Sequence, residues 1–175
     1  AWEQHLLGEH VFKVNDKNKD MLDLPALTVS SLYGLVEQNK FFNNRVASKD
    51  TNNYFIAQKG DFAYNKTPSA ESPVGAIKQV KNIERGVLSP IYLIFRVDPS
   101  NPIDDGFLSH VFYLSYWYNQ IKNVSKLGVR RSLTNIQTSD FFGTYIFRPG
   151  TLEEQQKVSK FFENIDSLIT LHQRK

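Results

Sequence analysis

Cysteine is missing from this 175-residue chain, which removes any disulfide framework and any thiolate metal site. The absence fits a reducing compartment, and the cytoplasm is the expected location. No apolar run approaches the roughly 20 residues needed to cross a bilayer, so no membrane partner is expected. The opening, Ala1-Trp2-Glu3-Gln4-His5, has neither an initiator methionine nor a signal-peptide core and reads as the start of a piece of a longer protein. Internal repeats and low-complexity tracts are absent too.

Catalytic signatures are equally scarce. The histidines, at 5, 10, 110 and 172, are scattered, and His5 and His10 stand five apart with no carboxylate placed to complete a helical metal pair. Neither a metal nor another cofactor is expected. There is no Gly-x-Gly-x-x-Gly and no Walker loop. No proline precedes aspartate and no carboxylate has lysine two residues on, as a restriction-type nuclease would require. Asn101-Pro102-Ile103-Asp104 fails the Asn-Pro-Pro-aromatic pattern of an amino-methyltransferase. Nothing assembles a nucleophile, a base and an oxyanion site, and the chain reads as non-catalytic.

What is present begins with a C-terminal helix signal. Thr151 followed by Glu154 is a capping box, and Pro149-Gly150 keeps the chain non-helical until that point. Val158, Phe161, Phe162, Ile165, Leu168, Ile169 and His172 then recur at steps of three and four, placing one apolar seam on a single face. Either this helix packs on its own domain, or it is an arm that pairs with another helix. About two heptads of seam do not decide between them.

The formal charge is +3, and residues 151–175 contribute none of it, holding four basic and four acidic side chains. Lys122, Lys126, Arg130 and Arg131 cluster within ten residues without an acid. Basic side chains also accompany aromatic and amide residues at Tyr64-Asn65-Lys66 and between Lys78 and Arg85. Lysine and arginine neutralise phosphates, and arginine, asparagine and glutamine read base edges, so these loops suit double-stranded DNA. Solvated surface beside core tyrosines is the competing account.

In chain order, residues 6–12 read as a helical turn or an edge segment and Leu27–Ser30 as a strand, followed by Tyr33–Val36. A short helix is expected around Phe41–Ala47. Tyr54–Ala57, a turn at Gln58–Asp61 and Phe62–Asn65 form a strand–turn–strand unit. Val74–Ile77 and Val87–Arg96 are further strands, the second demoted to an edge or bulge at Pro90. Asp98–Asp105 reads as a linker, after which Asp104 caps one helix through about Asn123. Gly128–Arg131 is a loop, Ser139–Phe142 starts a turn, and Thr144–Arg148 is the last strand. The fold class is α+β: a mixed, strand-rich globular domain over 1–149, then an amphipathic, coiled-coil-type helix over 150–175.

Three stretches together resemble the specificity (S) subunit of type I restriction–modification systems. Trp2-Glu3-Gln4-His5-Leu6-Leu7-Gly8-Glu9 resembles the opening of that subunit's second target-recognition domain. Lys59-Gly60-Asp61-Phe62-Ala63-Tyr64-Asn65-Lys66, with Leu88-Ser89-Pro90-Ile91-Tyr92 after it, resembles the family's Gly-Asp-x-x-Tyr-Asn element. Glu153–Lys175 resembles the start of the helix that follows each recognition domain, although Gly150-Thr151-Leu152 departs from the family's Pro-Leu at its head. The resemblance implies a non-enzymatic module that reads one half of a bipartite DNA site. Its partners would be DNA and the modification (methyltransferase) and restriction subunits, with self-association through the helix as an added expectation. The DNA-contact residues expected are Tyr64, Asn65, Lys66, Lys78, Arg85, Lys126, Arg130 and Arg131. The helix interface would be Val158, Phe161, Phe162, Ile165, Leu168 and Ile169. The rivals are the recognition tail of a type II restriction–methylation fusion and a protein-interaction module that uses the same helix without DNA.

Overall fold

Phe62-Ala63-Tyr64-Asn65 alternates large and small side chains with the two-residue period of a strand, Leu93-Ile94-Phe95 is a continuous apolar run, and both faces of these strands are buried. They form the centre of the fold. The computed structural model describes residues 1–30, 33–42, 50–70, 72–124, 126–127 and 134–173. It begins with β1 (Trp2–Leu6), a 3-10 turn (Leu7–Glu9) and β2 (Val11–Lys13). β3 (Leu27–Ser30), β4 (Gly34–Glu37) and α1 (Gln38–Phe42) follow, then β5 (Phe55–Gln58), β6 (Phe62–Asn65), β7 (Ala76–Gln79), β8 (Arg85–Leu88) and β9 (Leu93–Val97). The last third holds α2 (Asp105–Val111), α3 (Ser115–Val124), β10 (Lys126–Leu127), β11 (Thr134–Asn135), α4 (Thr138–Phe142), β12 (Tyr145–Pro149) and α5 (Leu152–Gln173).

The central sheet is antiparallel, in the order β2-β9-β6-β7. One face carries Phe62, Tyr64, Ile77, Leu93 and Phe95 against Phe107, Leu108 and Val111 of α2, Trp117 and Ile121 of α3 and Phe141 of α4. Tyr64 stacks on Phe141 at 5.1 Å between ring centroids, and Phe62 on Phe95 at 5.3 Å. The other face carries Ala63, Ile94 and Val80 against Leu27 and Leu88 of two small ribbons, β3-β4 and β5-β8. Aliphatic side chains, Ala63 the smallest, meet the ribbons on this face, whereas mainly aromatic ones meet the helices on the first. A third ribbon, β1-β12, joins the two ends of the described domain and leads directly into α5.

Several expectations shift. The strand–turn–strand at 54–65 is present, but β5 pairs with β8 and β6 with β7 and β9, so the turn passes the chain between sheets. The single strand expected over Val87–Arg96 is two, because Ser89-Pro90-Ile91 turns the chain, with Tyr92 N–H donating to Ser89 O at 3.1 Å. Proline there acts as a turn former rather than a bulge. The strand expected at Val74 starts at Ala76, after Gly75 at φ +86°.

Asp104 does cap α2, accepting from Phe107 N–H at 2.7 Å, but the helix stops at Val111. Tyr113 N–H to His110 O and Leu114 N–H to Val111 O tighten the chain into a turn, and α3 sets off afresh. Phe112 and Trp117 are thereby both buried, 5.1 Å apart, which one straight helix would not achieve. The 98–105 segment is packed rather than a free linker, since Ile103 is buried in the main core. Residues 139–142 lie in a short helix, α4, not the start of a turn, and the 6–12 stretch divides among β1, the 3-10 turn and β2. The helix expected over Phe41–Ala47 begins earlier, as α1; 43–49 lie outside the described residues.

Candidate nucleic-acid interface and helix surface

The Gly-Asp-x-x-Tyr-Asn element is spent largely on building the sheet. Gly60 takes φ +92°, open to glycine and strained for other residues. Asp61 next to it is fully buried, accepting from Gln58 N–H at 2.8 Å and from Arg96 Nε and Nη2 at 2.6 and 3.0 Å. That hydrogen bond raises the Arg96 pKa, more than offsetting the opposing effect of its partial burial. Tyr64 is fully buried and donates its hydroxyl to Val74 O at 2.5 Å. Burial also pushes its phenol pKa well up, with the nearby Tyr118 adding to the effect. Gly75 is required here, because a Cβ at that position would collide with Asn65 O and the Tyr64 ring.

Tyr64 is therefore corrected: with no exposed surface and its hydroxyl engaged, it is a core residue and not a DNA contact. Asn65 is half-buried, and its Oδ1 accepts from Thr67 N–H at 3.0 Å, which shapes the loop. Lys66 donates its Nζ to Ile136 O at 3.0 Å, and burial, with help from the charge of Lys13, lowers its pKa. Because Ile136 follows Asn135, the partner of Lys126 in the β10–β11 ribbon, this bond brings the Lys66 loop beside that ribbon.

Lys78 on β7 is half-buried, donating to Tyr113 Oη at 2.6 Å with its ammonium 4.7 Å from the ring centroid. Tyr113 itself is exposed on the turn between α2 and α3. Arg85 is exposed at the start of β8, opposite Gln58, so it and Lys66 stand at opposite ends of β6. Lys126 is described only in its backbone, and Arg130 and Arg131 lie outside the described residues.

The C-terminal helix is anchored at its base. Thr151 Oγ1 accepts from Glu154 N–H at 3.3 Å, while the Glu154 carboxylate accepts from the threonine hydroxyl at 3.4 Å instead of from its amide. Gln155 is fully buried, accepting from Asp104 N–H at 2.9 Å and donating to Pro149 O at 3.0 Å. One turn on, Ser159 lies so close to Gly106 that a Cβ there would collide with its hydroxyl. Nothing in the sequence pattern singled out Gln155 or Gly106, because both belong to the polar or neutral part of their helices.

Beyond this base, α5 leaves the domain. Phe161 and Leu168 keep 61% of their surface exposed and Ile169 keeps 49%; Val158 and Ile165 are half-buried. Phe162 borders a cleft of about 600 Å³ between α2 and α5, walled also by Trp2, Phe107, His110 and Lys81. Its ring lies 5.1 Å from that of His110, whose buried Nε2 has no hydrogen-bond partner among the described residues. Over its outer turns the seam therefore has little cover from the described residues of its own domain.

No protein-family model matches the chain, and no curated protein matches it. Solved structures do. One similar chain comes from a structure showing the basis of complex assembly and conformational transition of the type I R-M system, with a TM-score of 0.70 and 14% identity. Another is the HsdS subunit from Thermoanaerobacter tengcongensis, with a TM-score of 0.69 and 15% identity. They cover 98% and 99% of this chain, which in turn spans 44% of each of theirs. The chain shares the α+β fold of HsdS subunits of type I R-M systems, long C-terminal helix included.

Proposed function

We propose, from that shared fold, that this chain is a DNA target-recognition module of a type I restriction–modification specificity subunit and reads one half of a bipartite site. Residues 1–149 form the recognition domain and 150–175 the first part of a helical arm. The observation that carries the reading is a fold match to an HsdS subunit over 99% of the chain. The uncovered seam on α5 supports it as well. On this reading the module catalyses nothing. The methyltransferase and restriction subunits of a cytoplasmic complex do the chemistry, and the arm seats them or pairs with another helix.

The basic side chains contribute unequally. Lys78, Arg85 and the 126–131 stretch supply cations to phosphates, while Lys66 and Asn65 chiefly hold the loop that presents them. Lys78 exchanges its hydrogen bond to Tyr113 Oη for one to a phosphate and gives up a weak cation–π contact of about 0.5–1 kcal/mol, a cost that counterion release offsets.

The test is binding of the chain to a pool of random duplexes at low and moderate salt, followed by sequencing of the retained DNA. Enrichment of one short motif that persists at moderate salt is expected. Lys78→Ala should weaken binding to all sequences alike and reduce the salt slope by about one. Absence of binding at both salt concentrations would replace this reading with a protein-interaction module built on the α5 seam.

A further inference from the structure

His5, Glu9 and His10 come from three successive pieces of backbone: β1, the 3-10 turn and the residue before β2. One donor atom from each lies within 4.8 Å of the other two. Glu9 Oε2 is 3.1 Å from His5 Nδ1, and Glu3 Oε2 is 3.3 Å from His5 Nε2. The two imidazole rings meet edge-on at 5.2 Å. His10 is fully buried, and its Nδ1–H donates to Asn101 O at 2.9 Å. That bond fixes the tautomer in which Nε2 carries the lone pair, and Arg148 Nε donates to this nitrogen at 3.3 Å.

We propose that His5, Glu9 and His10 form a binding site for a divalent transition-metal ion of the zinc type, with water completing the coordination. Two imidazoles and a carboxylate are the donor set such ions take, and a backbone carbonyl behind one imidazole is the usual device for orienting a ligand histidine. Burial lowers the His10 pKa, keeping the ring in its neutral, ligating form near pH 7.

With bonds of about 2.0–2.1 Å, a tetrahedral ion holds its donors about 3.3 Å apart, so the three groups close up by roughly an ångström or more. Arg148 is the competitor. Its contact with His10 Nε2 is long, its Nη1 donates separately to Pro149 O at 3.2 Å, and Glu3 faces it in the β1–β12 register to receive the displaced guanidinium. The two carboxylates, Glu3 and Glu9, outweigh the one guanidinium, which favours a divalent cation. An ion here would fasten β1, and through β12 the root of α5, to β2 of the central sheet.

The experiment is titration of the untagged chain, without DNA, with Co(II), followed by competition with Zn(II). One ion per chain is expected, with the visible absorption of low-coordinate Co(II), bleached by Zn(II), and a melting temperature that rises with Zn(II) concentration. His5→Ala should abolish the absorption and the thermal shift, and Glu9→Gln should weaken binding about tenfold or more. Circular dichroism of both variants should match the parent. Arg148→Gln should tighten binding. Absence of the Co(II) absorption in the parent chain would overturn the site, as would its persistence unchanged in both His5→Ala and Glu9→Gln. None of these readouts depends on whether the chain recognises DNA.

Discussion

Asp61 has no exposed surface, yet it carries a formal charge held by one backbone amide and one guanidinium. Removing a partner from a buried ion pair costs about 3–5 kcal/mol, and the partial exposure of Arg96 trims that figure. Arg96→Ala should therefore destabilise the domain by about 2–3 kcal/mol in urea titration. Tyr64→Phe deletes only the hydroxyl bond to Val74 and should cost about 1–2 kcal/mol, with the DNA salt slope unchanged. A reduced slope would return Tyr64 to the interface. His110 is a third case. Burial lowers its pKa, outweighing Asp166, Glu163 and Asp104, which raise it, while Lys81 adds to the lowering. An unfolded His110 titrates near 6.5, so the unfolded chain takes up this proton first as pH falls. The His110 contribution to stability is complete above about pH 6.5 and is lost as pH falls from there through the folded-state value. His110→Phe should flatten that part of the profile in urea midpoints compared between pH 7.5 and 5.5.

Among the elements, α5 divides into an anchored base and a free continuation. Gln155→Ala removes two buried hydrogen bonds and should cost about 2–3 kcal/mol, with faster amide exchange along the helix. Leu168 lies on the free part, so Leu168→Asp should change domain stability by no more than about 0.5 kcal/mol while weakening association with a helical partner. Sedimentation of the variant, alone and with modification subunit, checks both halves of that statement. Phe161, Phe162, Leu168 and Ile169 are already about half covered, so burying the remainder yields roughly half of the 1.5–3 kcal/mol of full burial apiece, a gross gain at or below the roughly 4–15 kcal/mol that association costs. The seam alone thus supports only weak pairing, and a stable complex needs further surface from the partner.

For the whole molecule, the β1–β12 ribbon joins the beginning of the domain to its end and continues into the helix. A load applied to the arm thus reaches the central sheet through a few contacts: the ribbon, the Gln155 bonds and the Gly106–Ser159 approach. Two of the basic residues lie at separate places around the sheet, the exposed Arg85 at one end of β6 and the half-buried Lys66, beside the β10–β11 ribbon, at the other.

Local order was legible in the sequence. The threonine cap of α5, its three-and-four seam, the Asp104 cap and the period-two strand at 62–65 all depend on residues close in the chain and appear where their patterns lie, although Glu154 reaches the threonine hydroxyl rather than the amide of a full capping box. Strand partners did not follow from pattern, because β5 and β6 flank one turn but satisfy their backbone groups in different sheets. The same reason misplaced Tyr64: an aromatic beside a lysine looks identical whether it faces solvent or core, and only the α4 packing over β6 decided for the core. The break in the 104–123 helix and the buried Gln155 likewise arise from contacts between segments, which sequence spacing does not encode. The meeting of His5 with Glu9 and His10 is local but depends on the 3-10 turn at Leu7–Glu9, which the spacing did not reveal.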